Sequence, residues 1–264
     1  MMVKTGPAGW GRVGLLLGLA VLLAGCVWLR LLETKGQLEE FDHHFRVEVT
    51  DSFTLHFLHP VLFDEDLTEL AEVAPTQLET LPSGETRWTE VFHKTDVLGK
   101  REAPERTIWF QQRFNAEHKM IAWTFSPLFM DVAPPRFLEA SLRSLGKGTI
   151  FQSRHQLTVN PEDIPKFSAA LPDLKAIRGL LGTPIEERKD GDAWMLVYRF
   201  DLDTPTPATP ANEKRRIALV KLYFDEATGA LNRFSGRFIG LRLSINYRNF
   251  IPSEHEEATG AGEP

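Results

Sequence analysis

Large apolar residues alternate from Ala193 to Phe200, with Trp194, Leu196, Tyr198 and Phe200 on one side and Met195 and Val197 on the other. A two-residue period is the signature of a β-strand. Ile217 to Phe224 repeats the pattern, with Ile217, Leu219 and Tyr223 opposite Val220, Leu222 and Phe224. The polar, Gly-containing loop Asp225-Glu-Ala-Thr-Gly229 then turns the chain into Leu231 to Phe238. Upstream the period becomes helical: Leu174, Ile177 and Leu181 share one helix face behind Asp173, whose side chain can accept from a free backbone N–H. Gly182 ends that helix and Pro184 prevents it resuming. The stretch therefore predicts a helix, a Gly-Thr-Pro turn and a three-stranded antiparallel meander, one face of which needs the helix as cover.

A weaker copy lies about a hundred residues earlier. Trp88-Thr-Glu-Val-Phe-His-Lys94 matches Trp194 to Phe200 at the Trp, the Val and one aromatic. Arg106 to Phe114 matches Arg216 to Phe224 at both ends, and Phe125-Ser-Pro-Leu-Phe129 matches Phe234-Ser-Gly-Arg-Phe238. The matches keep their order, so the reading is a duplicated unit.

Elsewhere, Phe45 to Leu58 alternates as a strand pair or one bent strand around Thr50-Asp51-Ser52. Asp64 to Val73 reads as a short helix with acids in its first turn. Leu81 to Gly84, Glu186-Glu187 and Asp190 to Asp192 read as loops, as does the Pro- and Thr-rich run Leu202 to Asn212. Ala133-Pro-Pro135 breaks the chain before a helix from Arg136 to Leu145, stopped by Gly146. Asn160-Pro-Glu-Asp163 is a helix start with a capping Asn. The resulting division is a leader over 1–25, a connector over 26–41, a first module over 42–132, a second over 133–251, and an acidic disordered tail over 252–264.

The first residues read as an address. Lys4 and Arg12 precede an apolar run from Val13 to Leu23, the layout of a secretory signal. Leu23-Ala24-Gly25-Cys26 resembles the bacterial lipobox. That resemblance implies cleavage after Gly25 and acylation of Cys26, the chain's single cysteine. Acyl chains contribute about 0.8 kcal/mol per buried CH₂, so several of them anchor firmly. After Cys26 the chain stays apolar through Leu32, which leaves an uncleaved transmembrane anchor over Val13 to Leu29 as the alternative. Either places the folded part outside the cytoplasmic membrane. Val27, and not Asp, after Cys26 points by family analogy to the outer membrane.

The Leu-Gly-Thr-Pro turn, the Trp-x-x-x-Tyr strand and the hairpin after it resemble the SmpA/OmlA lipoproteins, also called BamE, small subunits of the outer-membrane β-barrel assembly machinery. The likeness covers roughly residues 160–240 and the lipobox. The whole chain resembles a bacterial lipoprotein family built by duplicating such a unit. The fold this implies is α+β: two tandem BamE-like modules, each of short helices packed on an antiparallel β-meander. The first copy departs from the pattern in lacking the Gly.

Composition narrows the function. With 264 residues and 42% hydrophobic content, one large or two small cores are possible. Net charge is −6 with no basic block, which argues against nucleic acid as a partner. Eighteen Phe and six Trp against three Tyr serve a core or an apolar groove. Among the histidines, His56 and His59 stand three apart on a predicted strand and point to opposite faces, so no metal site is expected there. Gly146-Lys-Gly148 lacks the spacing of a phosphate loop, and there is no Gly-x-Ser-x-Gly elbow. Ser126 and Ser235 lie beside aromatics on hairpin strands without a partnered His. No catalytic residue, cofactor, metal or small-molecule substrate is expected. The expectation is a non-enzymatic envelope lipoprotein, held to a membrane by its lipid and binding an envelope protein, with Trp109 and Trp123 as candidate contacts. A carrier of lipid or another apolar ligand, and an enzyme of unrecognised type, stand as alternatives.

Overall fold

The alternating stretches become strands, but they do not close into two separate meanders. The computed structural model describes residue 27 and residues 29–151, 156–239 and 241–252. Eleven strands form one antiparallel sheet, curled into a half-barrel. In the first half these are β1 (Phe45–Val49), β2 (Phe53–Phe57), β3 (Gln77–Thr80), β4 (Thr86–Thr95), β5 (Thr107–Phe114) and β6 (Met120–Phe125). A separate hairpin, β7 (Thr149–Phe151) with β8 (Gln156–Thr158), follows. The second half contributes β9 (Glu186–Asp190), β10 (Ala193–Asp203), β11 (Ile217–Asp225), β12 (Leu231–Phe238) and β13 (Leu241–Asn246). The main order is β1-β2-β6-β5-β4-β10-β11-β12-β13, with β3 on β4 and β9 on β10.

This overturns the expected pair of helix-on-meander modules. The reason lies in the two long strands. β4 gives Thr86 to Thr89 to β3, and β10 gives Ala193 to Val197 to β9. The remaining backbone groups on that edge of each strand need partners. They find each other, from Thr95 opposite Arg199 to Val91 opposite Asp203. The side chains of β3 and β9 are exposed and carry no apolar alternation, so neither strand shows in the sequence, and β9 takes in Glu186 and Glu187, which read there as loop. The hairpin over Phe45 to Leu58 is as expected, with Phe45 opposite Phe57.

Few helices accompany the sheet. Residues 29–39 form α1, followed by α2 (Phe41–His44) and α3 (Asp64–Ala71). Then come α4 (Pro127–Val132), α5 (Pro135–Gly146), α6 (Leu174–Leu181) and α7 (Glu213–Arg216). The expected caps are in place: Asp173 accepts from Ala176 N–H at 2.7 Å, and Asn160 from Glu162 N–H at 3.2 Å. Gly182 closes α6 at φ 72°. In the first half Glu72 caps α3 in the left-handed region, at φ 57° and ψ 10°, whereas Gly182 has ψ −146°, so the helix without the Gly ends in a different turn.

The core sits on the inner face of the sheet and draws on both halves. Phe110 lies 5.6 Å from Phe125, 5.3 Å from Phe129 and 5.0 Å from Phe238, ring to ring. The two Phe-Ser-x-x-Phe segments thus converge, although Phe129 is on α4 and Phe238 on a strand. Ser126 is therefore the residue before a helix, not a strand residue. Among the described residues no helix is long and apolar enough to cross a membrane. Leu23, Ala24, Gly25, Cys26 and the tail from 253 lie outside the described residues.

Candidate functional site

The two tryptophans expected to meet a partner fall on opposite faces. Trp109 is half-buried on the outer face of β5, and Ser126 Oγ accepts its backbone N–H at 3.1 Å. Trp123 lies on the inner face, its ring stacked 5.0 Å from Phe125. They do not form one patch. The acids Glu186, Glu187 and Asp190 stand exposed on β9 instead of in a loop.

A cleft of about 430 Å³ opens between α3 and β4, lined by Asp64, Glu65, Thr68, Glu69, Trp88 and His118. Each lining residue follows from local structure. The first turn of α3 carries Asp64, Glu65 and Asp66 where the helix dipole favours acids. Asp66 turns inward, bound to Arg30 of α1 and accepting from Phe63 N–H at 2.9 Å, so Glu65 and Glu69 face the cleft. Trp88 points to the inner face from β4, packed 5.0 Å from Phe114, and its other side walls the cleft. Leu78 of β3 pairs with Trp88 and is 61% exposed, an apolar lip beside the ring. His118 Nδ1 meets Asp64 Oδ2 at 2.8 Å. Thr68 donates its hydroxyl to the Asp64 carbonyl at 3.1 Å. Among the described residues neither Glu65 nor Glu69 has an ion-pair partner.

Behind Trp88 the inner face is polar where the second half is apolar. Trp88, Gln112 and Trp123 form one cross-strand row. Glu90 lies two residues along β4 on the same face and hydrogen-bonds Gln112. Burial pushes the Glu90 carboxyl up to about 7, only partly offset by that bond. Glu90 Oε2, Gln112 Oε1 and Trp123 Nε1 are buried without a partner among the described residues.

Histidines gather in two other places. On the outer face, His93 Nδ1 stands 2.6 Å from Glu105 and its Nε2 3.5 Å from Asp203, which also binds Arg101 at 3.1 Å. With Glu105 and Arg101 in the first half and Asp203 in the second, it reads as ionic bracing across the two halves. At the mouth of the first hairpin, His43, His44 and His59 place one nitrogen each within 4.8 Å of one another. His56 is not among them; it binds Glu48 at 2.9 Å, and His59 lies beyond the end of β2 instead of on the strand. The hairpin register, carried two residues past Phe45 and Phe57, sets His43 opposite His59.

A second cleft, of about 490 Å³, is rimmed by Arg199, Asp201, Glu213 and Arg216. Arg199 binds Asp201 at 2.8 Å within it, and Arg216 donates to the Thr206 carbonyl. No protein-family model matches the chain, and neither the curated proteins nor the solved structures hold a significant match to it.

Proposed function

We propose that this chain is a non-enzymatic envelope lipoprotein, tethered through Cys26 on the periplasmic side of the outer membrane, that holds a partner protein by a Lys or Arg side chain in the α3–β4 cleft. The observation that carries the reading is Trp88 walling a cleft in which, among the described residues, Glu65 and Glu69 have no ion-pair partner. A long basic side chain fits such a place. Its methylene stem covers the Trp88 ring and the exposed Leu78, and its charged head reaches the carboxylates. A cation over an indole face contributes about 0.5–1 kcal/mol when exposed and about 2 when desolvated. The rim carboxylates add mainly to the rate of encounter and to partner choice.

Affinity purification from detergent-solubilised envelopes tests this. Proteins recovered with the wild-type chain should be lost with the double variant Glu65→Lys, Glu69→Lys, and should diminish as salt is raised. Both positions are exposed, so the variant should fold and lose only about 0.3–1 kcal/mol for placing a cation in the first turn of α3. Trp88→Ala should lose the same proteins, though it also removes a contact to Phe114. Recovery of the same partners with the charge-reversed chain sinks the reading, as does recovery of the wild type alone.

A further inference from the structure

We propose that His43, His44 and His59 bind one zinc-class divalent ion, in a site with an open coordination position. The backbone brings them together before any metal arrives. Phe45 and Phe57 pair across β1 and β2, and one step further Leu58 N–H donates to the His44 carbonyl at 2.8 Å. His59 therefore comes opposite His43, with ring centroids 5.0 Å apart and planes at 28°. The His44 ring stands 4.7 Å from His43 and 5.0 Å from His59.

Zinc–imidazole bonds of about 2.0–2.1 Å put ligand nitrogens roughly 3.4 Å apart in a tetrahedron. The three nitrogens here lie within 4.8 Å of each other, so side-chain rotation of an ångström or so closes the site. His43 and His59 are exposed and have room to make it. Three imidazoles with no carboxylate suit zinc, nickel or copper; calcium and magnesium require oxygen.

Two further observations point to a ligand. His44 Nδ1 is buried with no hydrogen-bond partner among the described residues, an uncommon state for an imidazole nitrogen. Gln37 of α1 donates its Nε2 to the His59 carbonyl at 2.8 Å, which fixes the backbone of that ligand. The other end of the amide, Oε1, is buried and unpartnered, an acceptor of the type that holds the far N–H of a metal-bound imidazole. A metal here would fasten α2 to the chain leaving β2, beside the α1 helix that follows the anchor. The fourth position is left for water or a donor from a partner. The site shares no residue with the α3–β4 cleft, so either can fail alone.

The test uses the full chain in detergent without a polyhistidine tag, stripped with EDTA and titrated with zinc chloride by calorimetry. The wild type should take up one zinc per chain and melt at a higher temperature for it. His43→Ala, His44→Ala and His59→Ala should each weaken binding by about tenfold or more, and the triple variant should bind none and show no shift in melting. His56→Ala should bind as the wild type does, and magnesium chloride should give no saturable heat. The triple variant should melt as EDTA-treated wild type does, which separates lost ligands from lost fold. No uptake by the wild type, or equal uptake by the triple variant, overturns the proposal.

Discussion

Position 90 holds a carboxyl where the chain's own second half holds a leucine. The cross-strand row Glu90–Phe110–Phe125 corresponds to Leu196–Leu222–Phe234. The substitution was legible, because matching Trp88 to Trp194 already sets Glu90 against Leu196. Its consequence was not, since burial depends on what lies across the sheet. Glu90 has a folded pKa of about 7 against an ordinary 4.5. Below the lower value both states hold the proton. As pH rises between the two, the unfolded chain releases it and the native chain keeps it, so the native state loses stability. The loss is complete above about 7 and is on the order of 3 kcal/mol. Glu90→Gln keeps a donor and acceptor beside Gln112 and has no charge to bury. It should be more stable than the wild type by that order at about pH 8, with the gap closing toward about pH 4.5. Urea unfolding across that range checks it, and a gap that ignores pH would show that Glu90 is solvated in the native state.

Between elements, Gly146 has a different task from the helix stop its sequence context implies. It is the last residue of α5, and a Cβ there would lie 2.5 Å from the Leu38 carbonyl oxygen and 2.7 Å from the Glu39 nitrogen. Those are backbone atoms of α1 and cannot swing aside. Gly146→Ala should therefore push α1 outward and cost about 1–3 kcal/mol in urea unfolding. Because α1 carries Gln37, the same variant should also loosen the hold on His59; an unchanged midpoint would show that α1 is not seated there. The elements themselves were readable wherever apolar spacing was strong: α6 with Asp173 and Gly182, the β1–β2 hairpin, and the β10–β12 meander. The register within the first half and the pairing of β4 with β10 were not. The echo aligned Phe114 with Phe224, yet Trp88 pairs with Gln112 while Trp194 pairs with Phe224. The two halves differ by a two-residue slide, which leaves every side chain on its original face. Hydrophobic alternation is blind to such a slide, and equally blind to exposed hairpin strands such as β3 and β9.

Across the whole molecule, the seam between β4 and β10 decides whether the two halves are domains. Each half of the sequence looks complete, with its own helix, hairpin and strands, which is why two modules were expected. Physically neither closes alone. Cutting the chain near 133 would bare the seam edges of β4 and β10, and exposed edges of that kind associate with other chains. It would also divide one aromatic core. Phe92 stands 5.2 Å from Phe238, and Phe129 5.8 Å from Phe234. Aromatic pairs contribute about 0.5–1.5 kcal/mol each beyond the area they bury. Tyr247, fully buried, donates its hydroxyl to the Val132 carbonyl at 2.6 Å and ties the last segment back to α4. Total stabilities are only about 5–15 kcal/mol, so losing the seam and several such pairs exceeds what half a molecule has in reserve. Residues 42–132 and 133–251 expressed separately should aggregate or remain unfolded, and should recover native-like circular dichroism when refolded together. The intact chain should lose tryptophan fluorescence and far-ultraviolet dichroism at one denaturant concentration. Two resolved transitions, or a folded monomeric half, would show that the seam is a contact between independent domains and not the spine of one sheet.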